Sequence, residues 1–95
     1  MMSQLPLNLA KVSQAEINKE VLRAAIIAEL DAVSLYEQLA AMTDDPDIKA
    51  VLLDVAKEEK THVGEFQALL LRLDAEQKAE LAHGQEEVEE ITGKK

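Results

Sequence analysis

From Ile48 onward, alternating steps of four and three residues pick out Ile48, Leu52, Val55, Glu59, His62, Phe66, Leu69 and Leu73. Such a stripe is one seam of a helix in a bundle. Two of its eight positions are polar, and they are adjacent. The same steps upstream give Leu22, Ile26, Glu29, Val33, Tyr36 and Ala40, with one carboxylate in the middle of an apolar stripe. Between the stretches Thr43, Asp44, Asp45 and Pro46 break the pattern, with Asp45 at an N-cap and Pro46 at the first helical position. Ser13 and Glu16 form a capping-box pair, which predicts a first helix from about Gln14 to Met42, on the order of 40 Å long. A second helix runs from Pro46 to Leu73, interrupted only by Gly64. Asp74 with Gln77 caps a third, weaker helix over Ala75 to about Ile91, with Gly84 in its middle. Residues 1–12 lack a clean period and contain Pro6, so they read as an N-terminal arm. Residues 13–92 form the helical domain and 93–95 a loose tail.

A short break between two long helices implies an antiparallel hairpin, and the fold class is all-α. Two helices cannot enclose a core. The first is apolar around most of its circumference between Ala24 and Met42, more than the third helix can cover. The chain is 95 residues long, 47% hydrophobic, without Trp and with one Tyr and one Phe, so its own core is thin. We therefore expect a homo-oligomer in which a second hairpin completes a four-helix bundle by dimerisation.

Nineteen acidic against ten basic residues give a net charge of -9, which repels a phosphate backbone and argues against nucleic-acid binding. No uninterrupted apolar run reaches membrane-spanning length, and no basic-then-apolar leader opens the sequence, so we expect a cytoplasmic protein with no membrane partner. The absence of Cys excludes disulfides, thiolate metal ligation and a cysteine nucleophile.

Glu29, Glu59 and His62 all lie near mid-helix, and residues near the middles of an antiparallel pair face each other, so the three should converge in the interior. Ionised carboxylates among Leu, Val and Ile cost several kcal/mol each unless compensated. A metal compensates them, since carboxylate oxygens and a neutral imidazole suit iron, manganese or zinc, and the i, i+3 spacing aims Glu59 and His62 at one place. Ferritin-like di-iron bundles use two lone Glu plus two Glu-x-x-His pairs, of which this chain supplies half and a twofold dimer the whole. Four Glu and two Fe(II) then balance in charge. The competing account is that the polar seam residues fix oligomer register through hydrogen bonds. His83 reads as a surface histidine. Asp54, Lys57, Glu58, Lys60 and the Glu86 to Glu90 cluster read as solvated.

The stretches AIIAELDAVSLYEQLA (25–40) and LLDVAKEEKTHVGEFQALLLRLD (52–74) resemble the encapsulated ferritins, compact ferritin-like proteins that are cargo of, or fused to, encapsulin shells. The likeness covers about residues 13–92. It implies iron ligands at Glu29, Glu59 and His62, two iron ions per dimer with manganese, zinc or calcium as substitutes, and a tyrosine near the metal at Tyr36. It also implies a ferroxidase centre split across a dimer interface, a ring of five dimers, and an encapsulin nanocompartment as the setting. Some members carry acids on both sides of the ligand Glu as a site of metal ingress. Here one flank is Ala28 and only Asp31 is acidic, turned about 200° from Glu29 around the helix. Standalone cargo members extend into a linker and an apolar docking peptide, which the residues after Ile91 do not resemble. Three functions follow as expectations: a ferroxidase in iron storage or detoxification, a rubrerythrin-like di-iron peroxidase, and a non-enzymatic helical oligomerisation module.

Overall fold

The computed structural model describes residues 8–11, 13 and 16–95, which form a 3-10 turn at Leu9–Lys11 and three α-helices: α1 (Ile17–Met42), α2 (Pro46–Leu73) and α3 (Ala75–Thr92). Among the described residues there is no strand. The rest of the expected arm, residues 1–7 and 12, lies outside them, as do Gln14 and Ala15.

Each helix start has its own chemistry, and one differs from expectation. Asp45 caps α2 as its sequence predicts: Oδ1 accepts the backbone N–H groups of Asp47 at 2.9 Å and Ile48 at 3.1 Å, and Pro46 fills the first turn, where no intrahelical N–H bond is needed. Asp74 caps α3 by accepting the Gln77 N–H at 2.9 Å. The capping box expected at Ser13 does not form. The Glu16 N–H instead donates to the Ser13 carbonyl at 3.0 Å, closing a turn ahead of the helix. Glu16 then holds the cap position without a side-chain bond, and α1 starts at Ile17. At the other end of the chain, Gly93 stops α3 one residue beyond expectation. Its φ of 69° is the left-handed conformation that terminates helices, and its N–H bonds to the Glu89 carbonyl at 2.8 Å.

Helices α1 and α2 pack along their length as an antiparallel hairpin, while α3 makes few contacts with it, most of them to α2. Among the described residues few are removed from solvent: Ala40, Ala56 and Leu70. The stripe of α2 facing α1 is Leu52, Ala56, Glu59, Val63, Phe66 and Leu70, all half-buried or buried. The predicted seam shares its middle with this stripe but not its ends, since Ile48, Leu69 and Leu73 are 52%, 44% and 48% exposed. A straight helix drifts by about 20° per heptad against a 3.5-residue repeat. Toward its C-terminal end the seam therefore rotates off the α1-facing side, at Leu69 and Leu73, while Ile48 lies exposed in the first turn; all three fall on a flank that no helix among the described residues covers.

The hairpin is consequently open. Its radius of gyration is 16.7 Å, against about 12 Å for a compact domain of this length. The chain exposes 7187 Å², against about 5,400 Å² for a folded monomer of its mass. No helix among the described residues is long and apolar enough to cross a membrane.

Candidate metal centre

From the middle of α1, Glu29 projects toward the middle of α2, where Glu59 and His62 lie one turn apart on the same face. One donor atom from each of the three lies within 4.8 Å of the others, the one such convergence of three or more carboxylate or imidazole groups among the described residues. His62 Nδ1 sits between the two carboxylates, 3.4 Å from Glu29 Oε2 and 3.4 Å from Glu59 Oε2. The side chains of Glu29, Glu59 and His62 are 21%, 20% and 44% exposed. They are thus half-buried and open on the uncovered flank, not enclosed in an interior, because a single hairpin has only one wall.

Two carboxylates and one imidazole leave the cluster short of positive charge. Glu29 Oε2 is buried and has no hydrogen-bond partner, since its approach to His62 lacks hydrogen-bond geometry. An unsatisfied buried polar atom costs about 1 to 3 kcal/mol, more when charged. The residues fit a metal ion on both counts: an anionic oxygen aimed into the cluster without a partner, and an oxygen and nitrogen donor set suited to iron, manganese or zinc.

The other candidates stand apart. Tyr36 is half-buried about two turns, roughly 10 Å, further along α1. Asp31 is half-buried and outside it, consistent with its place around the helix, and the neighbouring Ala28 contributes no carboxylate. His83 is exposed on α3, pairing with Glu80 at 3.3 Å and Glu87 at 3.1 Å. Asp54, Lys57 and Glu58 are exposed, as is Lys60, which bridges the hairpin to Glu37 at 2.9 Å.

One polar group escaped the sequence reading. Arg23 donates from Nη1 to Glu20 at 2.9 Å and from Nη2 to Asp74 at 3.0 Å, joining α1 to the α2–α3 joint. The Glu20 half is an i, i+3 pair visible in the sequence. The Asp74 half spans 51 residues and carries no local signal. The Gln77 backbone N–H holds the Asp74 carboxyl below the usual carboxylate range, with Lys19 and Arg23 acting in the same direction and desolvation opposing them.

A model of the rubrerythrin family matches residues 20–92. The ferritin-like-encapsulin shell fusion protein of Pyrococcus furiosus is 64% identical over 74 residues, covering 78% of this chain and 21% of that protein. The encapsulin nanocompartment cargo protein EncC of Myxococcus xanthus is 42% identical over 79 residues, covering 83% of this chain and 58% of that one. The chain thus spans only part of the length of both curated relatives. The crystal structure of the encapsulated ferritin domain from Pyrococcus furiosus superposes with a TM-score of 0.84 at 55% identity, covering 98% of this chain and 97% of that domain. Matched in family, in sequence and over nearly its whole fold, the chain belongs to the rubrerythrin family and, within it, to the encapsulated ferritins.

Proposed function

We propose that two copies of this chain join hairpin to hairpin and that the centre they share, two each of Glu29, Glu59 and His62, oxidises Fe(II) to Fe(III). The observation that carries this reading is the convergence of the three donor groups, with a buried and unpartnered Glu29 Oε2, on a flank that the described helices leave uncovered. That flank is apolar on both sides of the centre. Ile48 and Val51 lie about two to three turns before Glu59, and Leu69 and Leu73 about three to four turns after it, all exposed. A twofold axis through the centre and perpendicular to the helices lays the first pair of one copy on the second pair of the other. The same operation doubles the ligand set.

In this reading iron is a substrate as well as the occupant of the centre. Two Fe(II) ions lose one electron each, which together with two protons reduces dioxygen to hydrogen peroxide. The chain's own residues set the conditions. Glu29 and Glu59 supply the negative charge that favours the higher oxidation state, with two of each matching two Fe(II) in charge. His62 presents Nδ1 toward both carboxylates. The apolar walls keep the centre in a low-dielectric setting, where these charges interact strongly. The product is Fe(III) for storage or detoxification, in partnership with an encapsulin shell as in the relatives named above. The setting is then the inside of a cytoplasmic nanocompartment, with dimers as the unit of a larger ring. Membership of the rubrerythrin family favours a second reading in which hydrogen peroxide is the oxidant at the same centre.

Anaerobic loading with Fe(II), followed by separate mixing with dioxygen and with hydrogen peroxide, tests both. One iron per chain and a ferric absorbance rise faster than in buffer, both lost in Glu59→Ala, are expected, and the faster oxidant names the activity. Iron uptake no greater than in Glu59→Ala would leave an oligomerisation module.

A further inference from the structure

Helices α2 and α3 are joined by a single residue. Asp74 ends α2, with its N–H bonded to the Leu70 carbonyl at 3.0 Å, and begins α3, with Oδ1 accepting the Gln77 N–H. With no loop to absorb rotation, the direction of α3 depends on how Asp74 is held. Packing holds it only weakly, because α3 makes few contacts with the hairpin and the crook beneath it is an open apolar groove. Ile26 and Ile27 of α1 with Leu70 and Leu71 of α2 form its floor, and Leu81 of α3 faces them, still 42% exposed. The hydrophobic effect alone favours closing that crook. What stands in it is Arg23, whose guanidinium is held by Glu20 on its own helix and by Asp74 Oδ2 at the joint. The Asp74 side chain is 12% exposed but that of Arg23 is 42% exposed, so the pair is shielded from water on one side only.

We propose that Arg23 and Asp74 form a strut that fixes the angle of α3 against the hairpin and holds the crook open, so that the apolar positions along α3 are presented in one orientation for assembly. Glu20 anchors the base by fixing the Arg23 fork, and Asp74 converts that fixed point into a direction for the whole helix. The strut is independent of the metal centre. His62 and Asp74 are about 18 Å apart along α2, and no strut residue belongs to the ligand cluster. The inference therefore survives or fails separately from the proposed iron chemistry.

The absence of Cys allows clean spin labelling at two introduced cysteines, Asp54→Cys on α2 and Glu86→Cys on α3, both exposed. Labelled chain diluted with unlabelled chain then reports the α2–α3 distance distribution within one subunit by pulsed dipolar spectroscopy. The parent is expected to give one narrow distance. Arg23→Gln and Asp74→Asn, which retains a capping side chain, are each expected to at least double its width and to redistribute oligomer masses by native mass spectrometry. Lys60→Gln, which breaks the ion pair with Glu37 between α1 and α2, is expected to leave both readouts as in the parent. Arg23→Lys keeps the charge but not the fork, so it also broadens the distribution and serves if Arg23→Gln loses its helical circular dichroism. A parent-like distance in the arginine variants overturns the strut, whether or not Asp74→Asn broadens it, because capping alone then sets the angle.

Discussion

Glu-x-x-His occurs twice in this chain, at Glu59–His62 and at Glu80–His83, and locally the two copies are nearly the same object. His62 Nδ1 lies 3.4 Å from Glu59 Oε2, and His83 Nδ1 lies 3.3 Å from Glu80 Oε2. They differ in what comes from elsewhere. At the first copy a different helix delivers Glu29 to the same nitrogen, and Glu59 is 20% exposed. At the second the third carboxylate is Glu87 from the same helix, on the opposite ring nitrogen at 3.1 Å, and Glu80 is 64% exposed. Carboxylates on opposite edges of an imidazole ring do not converge on one point. Spacing along a helix brings two groups together, but a second helix makes a site of them and removes enough water to give their charges consequence.

The sharpest way to break this comparison is metal content. Glu29→Ala, Glu59→Ala and His62→Ala are each expected to take Fe(II) uptake from one per chain to background by elemental analysis, whereas Glu80→Ala and His83→Ala retain the parent value. A loss in His83→Ala equal to that in His62→Ala would erase the distinction. Next in size is linkage: Fe(II) at a hundred times its dissociation constant stabilises the folded form by about 2.7 kcal/mol, so anaerobic calorimetry should show a higher unfolding temperature in the parent and none of that rise in Glu59→Ala.

Removing charge from the metal-free protein sharpens the same contrast. Glu29→Gln relieves a buried oxygen that has no partner and lies beside a second carboxylate, and is expected to stabilise the metal-free chain by about 1 to 2 kcal/mol in urea titrations. Glu80→Gln, on an exposed surface, should stay within about 0.5 kcal/mol. The smallest expected effect lies on the acid side. Asp74 titrates lower in the folded chain than the unfolded value of about 3.9. Its contribution to stability is therefore complete above about pH 4 and is lost as pH falls through the folded value. Unfolding temperatures followed downward from pH 4 should fall less steeply in Asp74→Asn, with His83→Gln matching the parent.

What the sequence contained unaided was local. The caps at Asp45 and Asp74 are legible because a cap is a bond between a side chain and a backbone N–H two or three residues on, and neither needs the rest of the fold. The three helices and the mid-helix level of Glu29, Glu59 and His62 follow from periodicity and punctuation, since hairpin geometry brings equal levels together. Even local rules failed at Ser13, where a backbone turn to Glu16 took the N–H that the capping box required. Two bonding options lay within the same four residues, and the pattern does not rank them.

Tertiary structure decided the rest. It set which flank of α2 stays bare, at Leu69 and Leu73 because the drift between a 3.5-residue seam and a straight helix accumulates along the contact with α1, and at Ile48 because the described helices leave that first turn open. It left Glu29 Oε2 buried without a partner, a fact of two helices meeting that no single helix encodes. It also paired Arg23 with Asp74 across 51 residues. Sequence determines what each residue can bond to within a few turns of its own helix; which distant groups share a place depends on how the helices pack, and both the centre and the strut lie between helices.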